Sequence, residues 1–282
     1  MISIKKYISD KLSERVKRII RKFVPYTKTI RKNTEIPQEE LRIFNILKDE
    51  LEIVFDVGAR DDLSFYKIKS DISYHLFEPN KEFIASLKKQ KALLKNPDIT
   101  INEFGLSDKK EDDCIYYENS QSFIINPFLN KDIDCGQRYS LRRLDDYVIE
   151  KNISKIDFLK IDAEGLDYKI ILGGINTVKN KVSYIQFEYW DGVQKFVDLL
   201  GDTFNLYLMM EPILLKSIEE QFARRMSIEQ KQKNYRKSII PLDKPVIELI
   251  DEILSPRGYG GNIIGISKKL KNVNIEKLTF EV

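Results

Sequence analysis

Cysteine is scarce in this chain: Cys114 and Cys135 are the only two among 282 residues. Two thiols make no disulfide framework, so a reducing cytosol is the simplest compartment. Neither cysteine has partners at metal-ligand spacing, and the single histidine, His75, lies among apolar neighbours. A zinc site is therefore not expected, and His75 reads as a packed strand residue. No apolar run is long enough to span a bilayer, and no cleavable apolar leader stands in the sequence. The expectation is a cytoplasmic protein.

Charge of one sign is lacking overall but not locally. Residues 1–32 hold eleven lysines and arginines against Asp10 and Glu14. That segment is +9, which leaves −6 for the rest of a chain whose total is +3. So acidic a body excludes nucleic acid as the expected partner. Ile4, Ile8, Leu12, Val16, Ile19, Ile20 and Phe23 recur at helical spacing between the basic residues. The spacing predicts a helix over 2–23, stopped at Pro25. Its apolar face suits packing on the domain or on a second copy of the chain, as in a homo-oligomer. The basic face also suits peripheral contact with an anionic membrane, at the inner membrane surface. Residues 1–49 thus read as an amphipathic helix and linker, and 50–282 as the main domain.

That domain is organised around Ile53-Val54-Phe55-Asp56-Val57-Gly58-Ala59-Arg60, an apolar run stopped by an Asp-x-Gly turn. Buried parallel strands read this way. Further strands are expected at 74–77, 99–104, 156–161, 182–187, 204–210 and 262–266, with helices between most of them. The alternation predicts an α/β fold, doubly wound around a mostly parallel, seven-stranded Rossmann-like sheet. An N-terminal helical extension precedes it. A helical insertion, about 211–261, precedes the last strand. A connection of that length suits a lid, a substrate subdomain or an oligomer contact.

Four expected strands end in acids: Asp56, Glu78, Asp162 and Glu188. Strand ends on one edge of a parallel sheet converge on a ligand crevice, and Asp56 is expected to point into it. Glu78 follows the glycine turn by about twenty residues, a spacing that suits the two hydroxyls of a ribose. The turn itself has one glycine, followed by Arg60-Asp61-Asp62. Pyrophosphate binding wants more glycine and no acids there. A nicotinamide oxidoreductase is disfavoured for that reason. A cofactor with ribose and adenine but no phosphate fits, and S-adenosylmethionine is the obvious one.

With these residues in place, the sequence resembles the FkbM family of S-adenosylmethionine-dependent methyltransferases. Val54-Phe55-Asp56-Val57-Gly58-Ala59 resembles the family's first motif, and Leu76-Phe77-Glu78-Pro79-Asn80 its ribose-binding strand end. Gly105-Leu106-Ser107-Asp108 sits where the family places its adenine-side segment. Leu144-Asp145-Asp146-Tyr147 followed by Ile156 to Gly165, with the run Lys160-Ile161-Asp162-Ala163-Glu164-Gly165, is the most specific match, and Phe187-Glu188 closes the pattern. The resemblance covers roughly residues 50–200. It implies a methyltransferase fold, with Asp56, Gly58, Ala59, Glu78, Pro79, Asn80, Ser107, Asp108 and Asp162 toward the cofactor. It also implies O-methylation, often of a sugar or polyketide-type acceptor, and so a small-molecule or glycan partner. Where many relatives carry a second glycine after the Gly-Ala pair, this chain has Arg60-Asp61-Asp62. That departure keeps a second reading open: a binding or assembly protein that retains the fold without turnover.

Methyl transfer to a hydroxyl needs an aligned acceptor oxygen and a way to remove its proton. Asp162, Glu164 and Glu188 are the candidate catalytic groups. Asp162 and Glu188 could instead hold a divalent ion of the Mg or Mn kind, which would lower the hydroxyl's pKa. Glu164 could equally be an acid at a helix start, stabilised by the helix dipole. Tyr116, Tyr117, Tyr189 and Trp190 are candidates for stacking on a sugar or on adenine, or for packing.

Overall fold

A computed structural model describes residues 38–95, 97–118, 121–124, 137–271 and 273–282. The expected helix at 2–23, the linker and Cys135 lie outside the described residues, as do the side chains of Cys114, Tyr116 and Tyr117.

The chain enters through α1 (Gln38–Leu47) and reaches β1 (Ile53–Val57). Then come α2 (Ser64–Ile68), β2 (Ser73–Phe77), α3 (Lys81–Ala92) and β3 (Ile99–Asn102). Four strands make a small second sheet: β4 (Gly105–Leu106), β5 (Glu111–Glu118), β6 (Gln121–Ile124) and β7 (Gln137–Arg142), in the order β4-β7-β5-β6. The main sheet resumes after α4 (Leu144–Glu150) with β8 (Ile156–Ile161). It continues through α5 (Asp167–Gly173), α6 (Ile175–Lys181), β9 (Val182–Tyr189), α7 (Gln194–Leu200) and β10 (Phe204–Met209). The insertion holds α8 (Pro212–Ser217), α9 (Ile228–Gln232), β11 (Ile239–Pro241) and α10 (Lys244–Glu248). Both α8 and α10 run on into π-helical turns, Ile218–Phe222 and Leu249–Leu254. Finally β12 (Gly261–Ser267) returns to the sheet and α11 (Ile275–Leu278) closes the chain.

The main sheet runs β11-β10-β12-β9-β8-β1-β2-β3. Its β3-β2-β1-β8-β9 part is parallel, and β12 inserts antiparallel between β9 and β10. It has eight strands rather than the expected seven. The extra one, β11, is a three-residue edge strand in the insertion, too short to show an alternating pattern.

Helices cover both faces, as continuous apolar strands require. On one face α1, α2, α3 and α11 pack a core that includes Phe44, Val54, Tyr74, Phe158 and Ile264. On the other, α4 to α8 and α10 pack around Phe55, Leu159, Ile185, Phe187 and Ile263. The expected boundary at residue 50 moves earlier in the described domain. Ile43, Phe44 and Leu47 of α1 are 0 to 5% exposed within the first core, so α1 belongs to the domain.

Strand β8 is buried along its whole length, and its two charged residues each have a task. Asp157 accepts the Glu52 and Ile53 N–H groups, both at 2.9 Å, and fixes the entry to β1. Lys160 belongs to the site described below. In the Leu144-Asp145-Asp146-Tyr147 motif, buried Asp145 takes the Thr177 N–H at 2.8 Å and the Asn176 Nδ2 at 2.9 Å. It thereby satisfies the otherwise unpaired first turn of α6. The insertion is clamped by Asp251, which accepts the Val193 and Gln194 N–H groups at 2.6 and 3.1 Å, at the start of α7. His75 packs in β2 as expected, half-buried, with Nδ1 2.7 Å from the Tyr147 hydroxyl. Burial holds its pKa below the ordinary value.

Candidate active site

At the carboxyl edge of β1, β2 and β8 the chain comes very close to itself. Gly58 has a φ of +82°, and a Cβ there would stand 1.9 Å from the Asp162 carbonyl oxygen. Only glycine permits both the backbone turn and that approach. The Gly58 and Ala59 N–H groups donate to the Phe77 carbonyl at 3.0 and 3.3 Å, while Asp162 N–H donates to Val57 at 3.0 Å. The ends of β1, β2 and β8 are thereby tied together. A second close approach joins α5 to the segment after β4: a Cβ on Gly173 would lie 1.9 Å from the Ser107 carbonyl oxygen.

Glu78, at the end of β2, ties the glycine turn to the start of α3. Its Oε2 accepts the Arg60 N–H at 2.9 Å and its Oε1 the Asn80 N–H at 2.8 Å. Burial pushes its pKa up to about 7, against the pull of those N–H groups. Each carboxylate oxygen has a second lone pair, so the group can still take ribose hydroxyls. Asn80 caps α3 by accepting the Glu82 N–H at 2.9 Å. Pro79 lies beside Gly105, Ser107 is buried, and its hydroxyl donates to the exposed Asp108 at 3.0 Å. Arg60 has a left-handed φ of 54°. Its N–H bond to Glu78 compensates part of that strain. Asp62, buried after this turn, accepts bonds from the Ser64 hydroxyl and from Lys67.

Asp56 departs from expectation. It is the fourth residue of β1 and 1% exposed, so it does not open onto the crevice. Period-two alternation turns it toward the α1 face, beside Asp62, Tyr74 and Leu76, where it meets Lys160 of β8. Lys160 is 2% exposed. Its Nζ lies 3.2 Å from Asp162 Oδ2 and 3.9 Å from both Asp56 Oδ1 and Glu40 Oε2. Burial alone would favour loss of its proton, but the three carboxylates outweigh burial and hold the pKa above its ordinary value. Burial raises Asp56 to about 6 despite that ammonium.

Glu188, near the end of β9, is half-buried and joins Glu40 and Asp162 in a trio whose carboxyl oxygens lie within 4.8 Å of one another. Burial, then Asp162, Glu40 and Asp167, push it up to about 9. Asp167, the first residue of α5, braces the trio from below by accepting the Glu188 N–H at 3.0 Å and the Ala163 N–H at 3.4 Å. Burial and then Asp162 raise it to about 7.

Asp162 and Glu188 are therefore brought together, while Glu164 is not part of the trio. It is exposed, with a φ of 50°, in the loop before α5 rather than in the helix. Tyr189 is 1% exposed and serves as core, whereas Trp190 is 48% exposed at the same strand end. Glu40, Lys160 and Asp167 escaped the sequence reading. A lysine between Leu159 and Ile161, in a strand that is buried throughout, was a usable signal for Lys160. An acid opening a helix three residues after Glu164 was a weaker one for Asp167. Nothing local marks Glu40, which reaches the site from α1.

Strand order and the glycine turn define an α/β fold of the Rossmann-like methyltransferase kind. Residues 56–236 match the family model described as the methyltransferase FkbM domain, and the chain belongs to that family. Among solved structures, a methyltransferase FkbM from Methylobacillus flagellatus is similar at 15% identity and a TM-score of 0.40. That alignment covers 56% of this chain and 39% of the other, so this chain spans about two fifths of its length. The O-methyltransferase of a trans-AT polyketide synthase multienzyme of Brevibacillus brevis, in complex with S-adenosyl-L-homocysteine, is similar at 12% identity. Its TM-score is 0.38, with 99% of this chain and 83% of that one covered. No curated protein matches the sequence.

Proposed function

We propose that this protein is an O-methyltransferase that methylates a hydroxyl of a sugar, a glycan or a glycosylated metabolite. The observation that carries the reading is Glu188, a half-buried carboxyl at the sheet's carboxyl edge with its pKa raised to about 9. A base for a weakly acidic hydroxyl needs high basicity and a place beside the crevice. Asp162 shares that place. When bound, S-adenosylmethionine supplies a methyl group already activated on a sulfonium.

The residues fit that cofactor by the chemistry of their donors. Glu78 retains lone pairs for two hydroxyls, Ser107 and Asp108 lie on the adenine side, and the acids suit a cationic sulfonium better than a phosphate. On the other side, Glu188 takes the acceptor's proton, and exposed Trp190 offers a face for a sugar ring to stack on. A divalent ion of the Mg or Mn kind, held by Asp162 and Glu188, is the competing way to acidify the hydroxyl. The basic segment 2–23 suggests that the acceptor is met at an anionic membrane, which sedimentation with anionic vesicles at low salt would test.

Isothermal titration with S-adenosylmethionine and S-adenosylhomocysteine, with and without Mg or Mn, tests the cofactor. Binding that is lost in Glu78→Ala, followed by methyl transfer to one member of a sugar panel and its loss in Glu188→Gln, is the expected outcome. Absence of binding under every condition would return the protein to the binding or assembly reading.

A further inference from the structure

We propose that Lys160 is the resident cation of the acid cluster, a positioning residue whose ammonium fills the electrostatic role that a divalent ion would otherwise take. Three observations lead there. The ammonium is fully enclosed, 2% exposed on the central strand, so it is a fixed part of the site and not a surface charge. It bonds Asp162 Oδ2 at 3.2 Å and stands 3.9 Å from Glu40 Oε2. Those are two of the three carboxyls that come within 4.8 Å of one another and would ligate a metal. It also faces Asp56 Oδ1 at 3.9 Å, a buried oxygen with no hydrogen-bond partner. One positive charge thus gathers carboxyls from α1, β1 and the end of β8.

A divalent ion in the same trio would need carboxylate oxygens at roughly 2.0–2.6 Å. It would then sit beside a buried ammonium already paired to two of its ligands. Like charges in a poorly solvated site repel strongly, and Lys160 is buried in the central strand. Of the two acids that look like a metal pair in sequence, Asp162 is, on this geometry, bonded to the lysine, and Glu188 stands against Asp162 in the trio. Lys160 acts through Asp162: it fixes the carboxylate whose own carbonyl lies against Gly58 and whose charge bears on Glu188.

The inference rests on the proposed function only for the choice of Asp162 and Glu188 as working acids. Its test needs no turnover. Manganese is titrated into the full-length wild-type protein and into Lys160→Met, and free Mn2+ is followed by electron paramagnetic resonance. The wild type should leave the free-ion signal as it is in buffer. Lys160→Met, with the buried ammonium gone from beside the trio, should bind Mn2+ at least about tenfold more tightly, and Glu188→Gln in that background should abolish the gain. A trio that binds Mn2+ in the wild type, shown by its release in Glu188→Gln, would overturn the proposal even if Lys160→Met did not fold. So would a folded Lys160→Met with no gain in Mn2+ affinity. If the gain appears while no methyl transfer is ever found, the lysine's role stands and the enzymatic reading falls.

Discussion

The two halves of the carboxyl edge hold their acids in different ways. On the β1–β2 side, Glu78 is held by backbone: the Arg60 and Asn80 N–H groups, each within a few residues of a glycine turn or a helix cap. On the β8–β9 side, Asp162, Glu188 and Glu40 crowd together, and among the described residues a side chain, Lys160, brings positive charge to Asp162 and Glu40. The donors of the first half belong to the main chain and survive side-chain changes at Arg60 and Asn80 that leave the turn intact. A cluster that depends on one ammonium can be retuned by protonation, which is what proton transfer requires. On the proposed function, the first is the half that binds and the second the half that titrates.

The binding half should break hardest at Gly58. Gly58→Ala puts a Cβ 1.9 Å from the Asp162 carbonyl, at a φ of +82°. Strain and overpacking together should destabilise the fold by more than about 3 kcal/mol, seen as a lower midpoint in urea unfolding. Next in size is Glu78→Ala. It removes a hydrogen-bonding carboxylate worth about 1.5–3 kcal/mol to a bound ribose, so the S-adenosylhomocysteine Kd should rise by roughly 10- to 150-fold in calorimetry. Unchanged affinity in a folded Glu78→Ala would show that the binding half lies elsewhere.

The same contrast governs what the sequence could show. Asp56-x-Gly58 and Glu78-Pro79-Asn80 were legible because their geometry is closed by neighbours in the chain, so residue order carries the structure. Even there, the direction of Asp56 was not legible, since only the partner strand's Lys160 reveals which face it serves. Glu40 reaches the titrating half from α1, far from Asp162 in sequence, and no local pattern announces that meeting. β11 was missed for a related reason: Ile239–Pro241 pairs only because β10 presents an edge. The sheet's other strands are apolar runs between turns, which sequence does display.

The titrating half should reveal itself in pH. Glu188 has a pKa of about 9 in the folded chain against an ordinary 4.5. Between those values the folded protein keeps a proton that the unfolded chain has lost. Its contribution to stability is therefore complete below pH 4.5 and declines as pH rises toward 9. Thermal melts of Glu188→Gln should fall less steeply with pH over that range than those of the wild type. Methyl transfer by the wild type should climb over the same interval as the carboxylate forms, and the variant should lack the climb. A variant whose melts track the wild type at every pH would remove Glu188 from the titrating half.

The smallest effect should come from Arg60→Gly, which tests the binding half without touching a carboxylate. Arg60 has a φ of 54°, a conformation that glycine adopts freely. The N–H that bonds Glu78 is backbone and survives the substitution. What is lost is the guanidinium 5.6 Å from the Phe83 ring and some restriction of the unfolded chain. These terms are each about 1 kcal/mol or less and oppose the strain relieved. Stability should thus change by under about 1 kcal/mol in urea unfolding, with S-adenosylhomocysteine affinity equal to or slightly above that of the wild type. If the affinity instead fell tenfold, the Arg60 side chain itself would be part of the receptor, and the binding half would not be a purely backbone device.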